Sequence, residues 1–142
     1  MITPLTAAQV HQAVEQFWKA FSSSSPQQMA ELYAPDATLF GVEGTRTEPG
    51  RLALARRQRE YFDRHARITA RPERIDVRLL NDTTALATCS FHFDATNVGL
   101  ASGKVQERHI THGRATHVFQ LDEAGKLLIV HEHLSSSDIR KD

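Results

Sequence analysis

The sequence predicts an α+β fold in which helices come first and antiparallel strands follow. Three observations carry this. Apolar residues recur at helical spacing in the first part of the chain, the period changes to two beyond residue 65, and short polar turns join the later apolar runs.

Residues 7–21 form the first helix, with Val10, Ala13, Val14, Phe17, Trp18 and Phe21 on one face and Thr6 as the N-cap. Ser22–Ser25 interrupts that pattern. Ser25-Pro26-Gln27-Gln28 then restarts it, with a capping serine, a proline in the first turn and Gln at the third position. This short helix buries Met29, Leu32 and Tyr33 before Ala34-Pro35-Asp36 stops it. Ala37–Gly41 is a brief strand, 41–50 a loop, and 51–65 a third helix that turns Leu52, Ala55, Tyr61 and Phe62 inward.

Beyond it, Ile75, Val77 and Leu79 alternate with polar residues, and Asn81-Asp82 makes a turn. Thr83–Asp94 returns as a strand with one apolar face (Ala85, Ala87, Cys89, Phe91, Phe93) and one mixed face (Thr88, Ser90, His92, Asp94). A loop over 94–104 leads into a long strand, Val105–Leu121, bent near Gly113. Asp122–Gly125 turns the chain into the last strand, Lys126–Leu134, and a polar tail follows.

The bulk numbers exclude several classes. At 142 residues, the chain suits one domain over 1–142 with a real core. Lys+Arg and Asp+Glu both total 17, so no net charge points to nucleic acid or anionic lipid. Nine of the 13 arginines fall between Arg51 and Arg78, but no aromatic platform accompanies them, which marks a solvated helix face. Cys89 is the one cysteine, so no intrachain disulfide forms, as suits a reducing cytosol. The first residues carry no basic, apolar leader, and no segment reaches the roughly 18 apolar residues of a membrane span. These features set the expectation of a cytoplasmic protein with no membrane partner.

The order of elements resembles the nuclear transport factor 2-like superfamily, and within it the SnoaL-like branch. The residues that carry the resemblance are Phe17-Trp18, the run from Leu32-Tyr33-Ala34-Pro35-Asp36 to Gly41, Gly113-Arg114-Ala115-Thr116, and the closing stretch Gly125 to Ser135 with His131-Glu132-His133-Leu134-Ser135. That last piece is also similar to the association domain of calcium/calmodulin-dependent protein kinase II. The resemblance implies a cone, with a strongly curved, mostly antiparallel sheet wrapping three helices around one deep pocket. It further implies dimerisation through the sheet. Isomerases, dehydratases and non-enzymatic assembly modules share this fold, so it leaves the activity open.

Alternation splits the terminal cluster. Leu127, Ile129, His131 and His133 take one face of the strand, and Leu128, Val130, Glu132 and Leu134 the other. Both faces begin apolar, so alternation alone does not say which is concave. By resemblance to the kinase domain, Ser90, His117 and Leu134 stand where three pocket arginines would be, and Glu132 shares the side of Leu134. A carboxylate withdrawn from water there suits a general base, and an imidazole beside it suits proton transfer near neutrality. The candidate catalytic residues are therefore Glu132, His117 and His92. Trp18, Tyr33, Phe40, Tyr61, Ser90 and Leu134 are the candidate ligand contacts. His131 and His133, with Phe91 and Phe93, are the candidate interface.

Eight histidines raise the question of zinc, with His131-x-His133, His109 and His112 as donors. No cysteine cluster or helical His-x-x-x-His accompanies them, so neither metal nor cofactor is expected. The sequence thus leaves two functions open. One is an acid–base lyase or isomerase acting on a compact cyclic or carbonyl substrate. The other is a non-catalytic module that binds a ligand or assembles.

Overall fold

The structure, a computed structural model, describes residues 3–23, 25–40, 65–97 and 108–136. Among these, two helices, α1 (Ala7–Ser23) and α2 (Pro26–Ala30), precede five strands. The strands are β1 (Tyr33–Phe40), β2 (His65–Leu79), β3 (Thr84–Asn97), β4 (Arg108–Leu121) and β5 (Leu127–Ser136). They form one sheet in the order β1-β5-β4-β3-β2. Every pair is antiparallel except β1 with β5, which run parallel. The third helix expected over 51–65 lies outside the described residues up to 64, and His65 itself already begins β2.

Both helix starts follow from their capping residues. The Thr6 hydroxyl accepts from the Gln9 amide at 3.2 Å, and the Gln9 side chain accepts from the Thr6 amide at 2.9 Å, a reciprocal capping box. At α2 the Ser25 hydroxyl accepts from the Gln28 amide at 3.2 Å. Val10, Val14, Phe17 and Trp18 form the buried stripe of α1. The Ser22 hydroxyl ties the end of that helix to β2, donating to the Ala70 carbonyl at 2.9 Å and accepting from the Ala70 amide at 2.8 Å.

The core lies between α1 and one face of the sheet. Along β3 that face is Ala85, Ala87, Cys89, Phe91 and Ala95, and along β4 it is Ala115, His117 and Phe119. Trp18 stacks on Phe91 at 4.8 Å, and Phe93 meets Phe21 edge-on at 5.6 Å. Phe91 and Phe93, expected at a subunit interface, are therefore packed under the helix. Alternation found the apolar face of β3 correctly, but water exclusion sends that face to α1 rather than to a second sheet.

Two features of β4 and β5 matter for the site. Gly113 pairs with Phe91 on one side and Ser136 on the other, and a Cβ there would overlap the Ser135 carbonyl oxygen and the Phe91 ring. Only glycine permits that approach. On β5 the register slips, since Val118 pairs with His131 but Phe119 with Ile129, leaving Val130 as a bulge. Ile129 thus shares the core face with Glu132, whereas strict alternation had put it with His131 and His133.

Candidate active site

The bulge at Val130 sets the direction of everything after it. Downstream of it Glu132 pairs with His117 and Leu134 with Ala115, so both turn toward the core. The parallel strand β1 closes the other side, with Leu39 beside Glu132 and Tyr33 beside Ile129. Three polar side chains from three strands meet there.

The Tyr33 hydroxyl donates to Glu132 Oε1 at 2.5 Å, and His117 Nε2 lies 2.8 Å from the same oxygen. His117 keeps 1% of its side-chain surface accessible and Glu132 keeps 6%. Tyr33 is fully buried. Such short bonds are the lengths of charge-assisted donors on a carboxylate. Phe17 lies against the His117 ring at 4.5 Å, and Phe119 is 5.8 Å from it. These rings hold water away, which strengthens each hydrogen bond inside and makes an unmade one costly. A carboxylate fixed in this way can take a proton from a bound molecule and return it.

Other expected site residues lie elsewhere. Ser90 and His92 belong to the outer face of β3, not to the core side. The Ser90 hydroxyl donates to the Glu73 carbonyl at 3.2 Å, and the His92 ring meets His112 at 4.7 Å. The apolar partners of Cys89 and Phe91 claim the inner face, and strict alternation forces Ser90 and His92 outward. Phe40 is 39% exposed and sits near His131 and His133 rather than over the core, because its neighbour Leu39 takes the inward position. Trp18 is buried in the core, and Leu134 packs against it. Tyr61 lies outside the described residues.

His131 and His133 share the outer face. His131 Nδ1 is 2.8 Å from the Thr38 hydroxyl, and His133 is exposed. Among the described residues no three His, Cys, Asp or Glu side chains converge as a metal site would require. No described helix is long and apolar enough to cross a membrane.

Burial raises the Cys89 thiol above its ordinary pKa of 9.0, and the Trp18 contact partly offsets this. The buried Trp18 indole N–H makes no hydrogen bond among the described residues. A hollow of about 260 Å³ lies beside Gln9, Gln12, Gln16 and Leu121, and it includes none of Tyr33, His117 and Glu132.

Sequence reasoning grouped Tyr33 with the ligand contacts and missed its bond to Glu132, across 99 residues of chain. It also gave Phe17 no place beside His117. No local signal marks this bond, because Tyr33 reads as the end of the short helix and only the pairing of β1 with β5 brings it to Glu132.

Comparisons with known proteins agree on the fold. A provisionally named calcium/calmodulin dependent protein kinase II association domain from Xanthomonas campestris is 21% identical, with a TM-score of 0.75 over 98% of this chain and 97% of that one. A provisionally named scytalone dehydratase from Novosphingobium aromaticivorans is 12% identical, with a TM-score of 0.79 over 91% of this chain and 82% of that one. A nuclear transport factor 2-like superfamily protein from Salmonella enterica is 16% identical, with a TM-score of 0.78 over 94% and 92%. At such identities these likenesses establish architecture alone. No curated protein matches the sequence. The model of the SnoaL-like domain matches residues 10–138, and the chain belongs to that family.

Proposed function

We propose that the protein is an acid–base enzyme of the lyase or isomerase kind, acting on a compact, uncharged cyclic or carbonyl-bearing molecule. One observation carries this reading: a carboxylate, Glu132, held in an apolar core by a tyrosine and a histidine. A core stabilised only by packing has no need of such a group, since burying a charge costs several kcal/mol before pairing, on the order of magnitude known for buried ions. Glu132 removes the proton, and His117 and Tyr33 stabilise its ionised form. The surrounding Phe17, Phe119 and Leu39 favour a neutral substrate. In this proposal the protein works in the cytoplasm as a homodimer, and a second copy covers the outer sheet face that carries His131 and His133.

Exchange of carbon-bound protons tests the reading without knowledge of the natural substrate. The protein is incubated in D2O with a panel of uncharged cyclic ketones, β-hydroxy ketones and enol lactones, and α-proton signals are followed by NMR. Catalysed loss of an α-proton signal is the expected result. Saturation transfer from the protein to a compound with no exchange in any member of the panel favours a different reading. That alternative is a non-catalytic binding or assembly module, which the likeness to the provisionally named kinase association domain supports.

A further inference from the structure

We propose that Glu132 exchanges its proton through Oε2, and that Tyr33 and His117 are positioning residues that reserve this oxygen by saturating Oε1. A carboxylate oxygen offers two lone-pair sites. On Oε1 both are taken, one by the Tyr33 hydroxyl at 2.5 Å and one by His117 Nε2 at 2.8 Å. Glu132 Oε2 takes no hydrogen bond from a described residue, yet it is not a buried orphan. Trp18 Nε1 is the one such side-chain atom among the described residues. The Glu132 side chain keeps a small accessible part, 6% against 1% for His117, and in this proposal the reacting molecule arrives there.

The two oxygens therefore have separate tasks. Oε1 fixes the carboxylate between β1 and β4, and Oε2 meets the substrate. This removes His117 as the proton carrier, because its Nε2 proton is committed to Oε1. It leaves Tyr33 with a role that neither a ligand contact nor a core residue would have. In the reaction, a C–H bond beside a carbonyl breaks and its electron pair enters the enolate. The proton forms a bond to Oε2, and its later return to the substrate or to solvent restores the carboxylate.

This inference rests on the acid–base reading, but its geometric half can be measured without any substrate. Glu132→Gln keeps a carbonyl oxygen for Tyr33 and His117 and places an amide where Oε2 was, whereas Glu132→Ala leaves both donors unpaired. The full-length variants are compared by thermal unfolding and by proton NMR of the exchange-protected Tyr33 hydroxyl and His117 Nε2–H. Glu132→Gln is expected to melt within a few degrees of wild type and to keep both protected protons. Glu132→Ala should lose both signals and melt about 10 °C lower, the effect of stranding two buried donors. If Glu132→Gln melts with Glu132→Ala, or loses either signal, both oxygens are engaged and the inference fails, whatever the activity.

The catalytic half is read with Tyr33→Phe on any compound that exchanges. The turnover of exchange should fall at least about tenfold, the scale for a group that orients a general base, while half-saturation stays within twofold. A loss confined to melting temperature, with turnover per folded molecule intact, would make Tyr33 structural only and overturn its assignment. Absence of exchange by wild type counts against the enzyme reading alone, because the melting and NMR comparison still decides the geometry.

Discussion

Replacing Tyr33 by phenylalanine removes one oxygen and leaves the ring, so it isolates the hydroxyl bond to Glu132. That bond is short, at 2.5 Å, and both partners are buried. Hydrogen bonds to charged groups contribute about 1.5–3 kcal/mol, against about 1 kcal/mol for neutral pairs. No cavity larger than a hydroxyl forms, so the packing of Tyr33 near Phe17, 6.3 Å between ring centres, is retained. Tyr33→Phe should therefore cost about 2 kcal/mol, or a fall in melting temperature of roughly 4–8 °C for a chain of this size. In a Glu132→Gln background the same change removes only a neutral bond and should cost about 1 kcal/mol. Urea unfolding of the four proteins closes a double-mutant cycle with a coupling of about 1 kcal/mol. If Tyr33→Phe costs under about 0.5 kcal/mol, or the same in both backgrounds, the carboxylate is not the charged acceptor argued here.

Two further outcomes follow from the same packing. Gly113→Ala forces a methyl into the Ser135 carbonyl and the Phe91 ring, and should destabilise by about 1–3 kcal/mol, the usual cost of overpacking, in urea unfolding. Cys89 contributes a pH dependence of known sign. Its folded thiol is raised above 9.0, so its contribution is full below that pH and is lost as pH rises through the folded value, because the unfolded chain ionises first. Stability measured from pH 8 to pH 10.5 should fall more steeply in wild type than in Cys89→Ala, and equal slopes would refute the buried thiol.

Much of the scaffold was legible because local chemistry decides it. The apolar stripe of α1, its Thr6 cap and the Ser25 cap are short-range features, and each is realised within two residues of its expected place. Long-range pairing was not legible. β1 begins at Tyr33, four residues before its expected start, because the backbone there pairs with β5 from the far end of the chain. The bulge at Val130 has no sequence mark such as glycine, so alternation misplaced Ile129. Ser90 and His92 lie on the outer face of β3 because the apolar residues alternating with them take the inner one, a placement that the resemblance to the kinase domain does not foresee for Ser90. Glu132 and His117 were legible as candidates, but their shared oxygen and the third partner, Tyr33, required the parallel pairing of β1.

The central claim is that Glu132 carries the proton, and one comparison tests it most directly. The compound that exchanges fastest in D2O is followed with wild type and with Glu132→Gln, both shown to be folded and to bind it equally. General-base catalysis contributes about 10²–10⁴ in rate. The account predicts a loss of at least about a hundredfold in Glu132→Gln. Exchange within twofold of wild type would contradict it and return Tyr33, His117 and Glu132 to a polar knot in the core.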